Sequence, residues 1–248
     1  MVATRNHPRD FSTPSSRTTQ SSAGSPEHNP PVSRLTWSHT PSNLTLLWLA
    51  ISLPLVIWDT GYVLLRPHSM PGGALHSPIW TPYGLYGQID YTYGFEALYT
   101  GLGFTGAQAT VNAIETTAYL VYLYVVYAYG EQDSQQGRGA PSKKTMGPLS
   151  GLSESRTLYG QPAARAVLLA FTTASITFAK TVIYVLNEAF SGEHGWGGIG
   201  HNDFLTLIPL WIIPNGAWLV FPAYMTYVFG LEILEGLDIA TSRSRRTS

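Results

Sequence analysis

The chain has 248 residues, of which 44% are hydrophobic and only 12% charged, with a formal net charge of −1. Charge that scarce, gathered outside four long apolar runs, excludes an ordinary soluble domain and argues for one polytopic membrane domain with polar tails. No basic excess suggests nucleic acid as a partner, and the absence of cysteine excludes disulfides and thiolate metal sites.

Residues 1–42 are rich in Ser, Thr, Pro, Asn and Arg and lack apolar periodicity. Such a segment buries too little apolar surface to offset its ordering entropy, so it reads as a disordered cytosolic tail. Its first apolar run starts too late for a secretory signal. A transit peptide is the less plain reading, although arginines outnumber acids there.

Residues 44–65 (LTLLWLAISLPLVIWDTGYVLL) form the first span, since about 20 mostly apolar residues cross a bilayer. Asp59 lies inside it. An intramembrane carboxylate marks a functional site unless it sits at the interface, and the nearby Arg66 marks that edge, so both readings stay open. Residues 66–104 connect the first two spans and hold four prolines and the aromatics Trp80, Tyr83, Tyr86, Tyr91, Tyr93 and Phe95. Aromatics of this kind settle at headgroup level. The segment is expected to lie along the membrane face and to lid a cavity, with Asp90 as its acid of interest.

Residues 105–129 form the second span, where Gln108, Asn112, Glu115, Tyr119 and Tyr122 recur at steps of four, three, four and three. That spacing puts all five on one helical face. Helix–helix hydrogen bonding would be the structural explanation, but Glu is a costly choice for a task that Gln or Ser performs, which favours function. A polar linker at 130–162 carries Arg138, Lys143, Lys144 and Arg156. The third span, 163–190, aligns Thr173, Thr177, Lys180, Thr181, Tyr184 and Glu188 on one face. Lys180 lies far from either end, so a carboxylate across the bundle suits it better than snorkelling.

Residues 193–202 are a glycine turn, and the last span covers 203–233. Within it Pro209, Pro214 and Pro222 each remove a backbone donor and call for a kink. An unpaired amide in hydrocarbon costs about 2–7 kcal/mol, so Asn215, and Trp218 one turn on, should face a protein cavity. Residues 237–248 read as a disordered tail. Lys and Arg gather in both tails and the 130–162 linker, which places all three in the cytosol. The glycosylation pattern at Asn43 then falls on the cytosolic side and goes unused. His68, His76, His194 and His201 lack a ligand spacing, and GWGGIG lacks the strand and helix that a nucleotide loop requires, so neither metal nor cofactor is expected. The fold class is therefore all-α: a transmembrane bundle of four helices, or five, around a polar central cavity.

The order of motifs resembles the emopamil-binding-protein (EXPERA) superfamily, which includes sterol Δ8–Δ7 isomerase, over residues 55–228. WTPYGLYGQIDYTYG is similar to that family's W-x-x-Y and D-x-R-Y segment, with Thr92 in the place of Arg. Asn112-Ala-Ile-Glu115-Thr-Thr-Ala resembles its M-E-T-I-T-A, and Thr181-Val-Ile-Tyr-Val-Leu-Asn-Glu188 its D-V-L-Y-F-L-T-E. Ile199-Gly-His201 and Asn215-Gly-Ala-Trp218-Leu-Val-Phe-Pro222 resemble its L-G-H and N-A-L-W-L-V-L-P.

The resemblance implies an endoplasmic-reticulum enzyme in which a cavity acid protonates an alkene and carboxylates and aromatic faces hold the carbocation. By position it implies Glu115, Asp59, Asn215 and Trp218 as catalytic residues, with Tyr119, Asn112, Tyr184, Glu188 and Asp90 at the substrate. Leu55 stands where the sterol isomerases have a His, Ala118 where they have a Thr, and Thr181 where they have an Asp. These departures argue against Δ8–Δ7 isomerisation itself. The function expected is an isomerase or cyclase of a sterol or terpenoid lipid. The alternative is a non-catalytic lipid-binding or trafficking protein, and a structural adaptor ranks third. The membrane is the expected environment, with no nucleic acid, and a homodimer stays open.

Overall fold

The computed structural model describes residues 37–132 and 155–247, with side chains described as far as 242. The chain is mostly helical. Four long helices dominate: α1 (Asn43–Leu64), α4 (Phe104–Tyr129), α5 (Gly160–Phe190) and α7 (Ile213–Thr247). Between α1 and α4 lie the short helices α2 (Tyr83–Ile89) and α3 (Phe95–Tyr99), and α6 (Phe204–Leu207) leads into α7.

Among the described residues, three segments are long and apolar enough to cross a membrane: Asn43–Leu64, Gly160–Phe190 and the continuous run Phe204–Ser242. The protein therefore has the spans of an integral membrane protein. Helix α4 stands outside these three. Its 26 residues reach about 39 Å at 1.5 Å per residue, but the stripe from Gln108 to Tyr122 lowers its hydropathy.

The long helices form a circuit. α1 packs on α4, α4 on α5, and α5 along the length of α7, while α7 meets α1 over only a short stretch. Ala163, Ala166, Ala170 and Ala174 put a small-residue ridge of α5 into a core shared with Trp48, Leu49, Tyr122, Met225 and Phe229. Small side chains let the backbones approach closely, and dispersion then holds them.

One end of this circuit carries a small antiparallel sheet, β1 (Ser38–His39), β2 (Glu131–Gln132) and β3 (Arg156–Tyr159), in the order β1-β3-β2. It ties together the chain just before α1, just after α4 and just before α5. His39 also reaches Glu232 of α7 at 2.6 Å. Consecutive long helices therefore alternate in direction, with β1, β2, β3 and the C-terminal half of α7 at one end.

The sheet alters two of the sequence expectations. The 1–42 tail ends in an ordered segment: residues 37–42 pair, cap and pack, with His39 fully buried and Ser42 accepting the Thr45 amide at 3.1 Å to start α1. The first 36 residues lie outside the described part. The 130–162 linker contributes β2 and β3, α5 begins at Gly160 rather than 163, and residues 133–154 lie outside the described part. At the other terminus α7 runs on to Thr247, so the stretch read as a disordered tail from 237 continues the helix. Leu, Ala and Arg in that stretch are good helix formers that extend an established helix at little cost.

The kink expected from the prolines takes the form of a π-helical turn, Ile208–Ile212, between α6 and α7. Pro209 lies at its start and Pro214 just beyond it. A widened turn absorbs missing backbone donors that a regular α-ladder would leave unmatched.

Candidate functional site

The end of the bundle away from the sheet contains a cavity of about 460 Å³, within the 300–1,000 Å³ range of small-molecule sites. Every long helix contributes to its wall: Leu55 and Asp59 from α1, Asn112 from α4, Lys180 and Tyr184 from α5, Asn215 and Trp218 from α7. Pro82, Tyr83 and Tyr86 of α2, with Tyr93, close it from the connecting segment. That segment thus occupies the place of a lid.

The connecting segment is held by side chains that sequence alone left unassigned. Tyr62 and Tyr83 stack with centroids 3.8 Å apart, and the Tyr62 hydroxyl donates to the Tyr93 carbonyl at 2.9 Å. Arg66, at the end of α1, and Thr105, at the start of α4, both donate to the Thr92 carbonyl, at 3.2 and 2.8 Å. Burial pushes the Tyr83 and Tyr86 phenols well above their ordinary range, and neighbouring carboxylates push them further. Both remain O–H donors at any physiological pH.

Asp59 is the carboxyl at the cavity wall. Tyr83 donates to its Oδ1 at 2.7 Å and Asn112 Nδ2 to its Oδ2 at 3.2 Å. The Asn112 carbonyl oxygen accepts from Lys180 Nζ, which fixes the amide with its NH₂ toward Asp59. Lys180 in turn pairs with Glu115 Oε2 at 2.7 Å. A continuous string, Asp59–Asn112–Lys180–Glu115, therefore joins α1, α4 and α5. Glu115 is buried behind Lys180 and does not reach the cavity wall. Its other oxygen, Oε1, has no hydrogen-bond partner, and neither has the nearby Tyr119 hydroxyl.

Trp218 faces the cavity and is held edge-on against Trp48, with centroids 5.0 Å apart. Trp48 is itself stacked on Phe221 at 4.4 Å. The Asn215 amide donates to the Trp211 carbonyl at 2.9 Å, across the proline-interrupted backbone.

Asp90 anchors the lid rather than lining the cavity. It accepts from the Thr92 amide at 2.9 Å, the Thr92 hydroxyl at 2.6 Å, Trp211 Nε1 at 3.1 Å and the Tyr184 hydroxyl. Burial holds its carboxyl above the ordinary carboxylate range despite these donors. Nearby, Glu188 is fully buried and accepts the Gly198 amide at 3.1 Å. A Cβ at position 198 would fall 2.5 Å from Glu188 Oε2, so only glycine allows that approach.

Of the nine residues singled out in the sequence, Asp59, Asn112, Tyr184, Asn215 and Trp218 line the cavity. Glu115 and Tyr119 lie behind it, and Asp90 and Glu188 lie in the packing beneath the lid. Tyr83 and Trp211 hold the two carboxyls Asp59 and Asp90, yet nothing marks them in sequence beyond an aromatic series and an apolar span. Lys180 pairs with a carboxylate, as its mid-span position requires. No family model, curated protein or solved structure matches this chain.

Proposed function

We propose that the chain is a four-span membrane enzyme that isomerises or cyclises a sterol or terpenoid lipid by protonating an alkene. The observation that carries this reading is a carboxyl, Asp59, on the wall of an aromatic-lined cavity and wired to a buried Lys180–Glu115 pair. An apolar polyene or steroid suits the Leu55, Leu85, Leu210 and Trp218 surfaces. In this reading α4 is the fourth span, its polar stripe covered by α1 and α5.

Charge balance supplies the proton. Within the hydrogen-bonded string, Asp59 and Glu115 carry two potential negative charges and Lys180 one positive, while Arg66 is engaged with the Thr92 carbonyl, so a neutral string holds one proton on its carboxyls. Low dielectric disfavours the unbalanced alternative. Tyr83 and Asn112 each take one lone pair of Asp59, which leaves capacity for an O–H directed at substrate. In the first step that O–H breaks, a C–H bond forms with the alkene electron pair, and positive charge appears on the neighbouring carbon. Asp59, now a carboxylate stabilised by its two donors, and the Trp218 face both attract that cation; the ring adds about 2 kcal/mol when desolvated. Transfer of a different proton back to the Asp59 carboxylate completes an isomerisation; capture by a second alkene closes a ring and leaves a new cation, which ends by giving a proton to the same carboxylate. The wall formed by Pro82, Tyr83, Tyr86 and Tyr93 shields the cation from water on that side. Glu115 acts as a relay behind Lys180 rather than touching substrate.

The test is incubation of membranes holding the chain with sterols and prenylated compounds in deuterated water. A deuterated isomer or ring is expected, and Asp59→Asn should lower its rate at least about 100-fold. No product across the panel would sink the reading. A lipid-binding protein is the second reading, favoured by the fact that both Asp59 oxygens already have partners. It predicts that Asp59→Asn alters binding and that no deuterium enters any lipid.

A further inference from the structure

The cavity cluster needs a source for its proton, and the structure assigns one to the sheet end of the bundle. Tyr122, Tyr119, Glu115 and Asn112 succeed one another along a single face of α4. At the outer end the Tyr122 hydroxyl lies 2.9 Å from His39 Nε2, and His39 Nδ1 lies 2.6 Å from Glu232 Oε2. His39 is buried, while the Glu232 side chain keeps 22% of its surface exposed. At the inner end Lys180 and Asn112 reach Asp59. Between them stand Tyr119 and Glu115, 6% and 5% exposed, whose hydroxyl and Oε1 have no hydrogen-bond partner.

Those two orphan atoms are what a packing role does not explain. A buried polar atom without a partner is destabilising, and Phe at 119 would suit a passive interior better. Thr177 stands beside both side chains, but its own proton is committed to the Thr173 carbonyl at 2.9 Å, so it has none to donate to Glu115 Oε1. Oxygens placed one helical turn apart and otherwise unpaired are the kind that an ordered water bridges.

We propose that Glu232, His39, Tyr122, Tyr119 and Glu115 form a proton path that connects the aqueous phase at the sheet end to Lys180, whose ammonium group exchanges protons with Asp59 while Asn112 only holds the two in place. In each hop one O–H or N–H bond breaks as the next forms, and imidazole passes the proton by gaining it on one nitrogen and releasing it from the other. An isomerisation or cyclisation ends by releasing a proton, so the path exchanges protons with bulk without net consumption. This proposal rests on the cavity being a site of proton transfer, but it is testable without substrate.

The experiment tracks the protonated-carboxyl stretch of the purified full chain in lipid nanodiscs by infrared difference spectroscopy, after a switch from H₂O to D₂O. A band that Glu115→Gln or Asp59→Asn removes is expected, shifting on deuteration. Tyr119→Phe deletes a hydroxyl that makes no bond, so a structural role predicts no change. The path predicts deuteration slower by about an order of magnitude, and likewise for Tyr122→Phe. Tyr124→Phe, on the exposed face of the same helix, keeps the parent rate. Parent-rate exchange in a folded Tyr119→Phe protein, or no protonated carboxyl in the parent, overturns the path. Slowed exchange with no lipid turned over would leave the path standing and remove the proposed reaction. Turnover with unchanged exchange would do the reverse.

Discussion

At the scale of single residues, the Glu115–Lys180 pair separates energetics from chemistry. Breaking a buried ion pair by removing one partner costs about 3–5 kcal/mol, because the other charge is stranded, whereas replacing both is often neutral. Lys180→Met is therefore expected to lower the unfolding temperature strongly. Glu115→Gln combined with Lys180→Met should recover most of that loss while leaving turnover at the low level of the single variants. Thermal unfolding of the three proteins in one detergent, beside deuterium incorporation, checks this. If the double variant is no more stable than Lys180→Met, the pair is not the dominant interaction of either side chain. Trp218→Leu makes a different prediction. It keeps every proton-bearing group and removes a π face, so turnover should fall and the products become more mixed, as product analysis would show. Much of this site was legible in the sequence, because an amide or carboxyl recurring at helical spacing in an apolar run has few places to go but inward. What spacing could not tell is depth. Glu115 and Asn112 share a face, yet only Asn112 reaches the cavity, because Lys180 from another helix covers the acid. Which charge screens which is a tertiary fact.

At the scale of elements, the lid and the π turn meet at Asp90. Trp211, within the turn, and Tyr184, from α5, both donate to the carboxyl that caps the Tyr91–Tyr93 turn of the connecting segment. Its folded pKa lies above the ordinary value, chiefly through burial. For a group raised in this way the folded state binds the proton more tightly. The stabilisation is therefore fully present below the ordinary carboxylate pKa and is lost as pH rises through the raised one. Stability of the lid should fall with rising pH over that window, and Asp90→Asn should flatten the dependence. Protease sensitivity of the 66–103 segment against pH reads this directly; an unchanged slope in Asp90→Asn would locate the titration elsewhere. The prolines announced a break in this helix, but no local signal says that a break will widen rather than bend. The sheet was less legible still. Strands of two residues carry no periodicity, and the partners of His39, Tyr122 and Glu232, lie 83 and 193 positions away.

At the scale of the molecule, the count of spans decides which surfaces share a compartment. Three helices meet the length and hydropathy of a membrane span, and α4 does not. If only those three crossed, the two termini would lie on opposite sides. The proposed four-span reading has an even number, and it rests on the contacts at the sheet and around α4. β1 precedes α1, β2 comes after α4, β3 precedes α5, and Glu232 within α7 binds the β1 histidine, so three long helices have an end at the sheet and α7 runs past it. A helix that lay on the surface could not place Glu115 against Lys180 at one level and Tyr122 against His39 at another while packing on both α1 and α5. The polar stripe that lowers the hydropathy of α4 is covered by these contacts, so it need not meet lipid, and the exposed Ile114, Leu120, Val121 and Tyr124 are what lipid would see. In the proposed four-span arrangement, the basic residues gathered in the tails and the 130–162 linker put the sheet end on the cytosolic side. Protease added to sealed microsomes should cut within 1–36, within 133–154 and beyond 242, and should spare the 66–103 and 191–203 segments. Cleavage at both tails with protection of 133–154 would fit no arrangement in which the sheet forms. Cleavage at one tail only would mean an odd number of spans, and would place Glu232 and His39 on opposite sides of the bilayer.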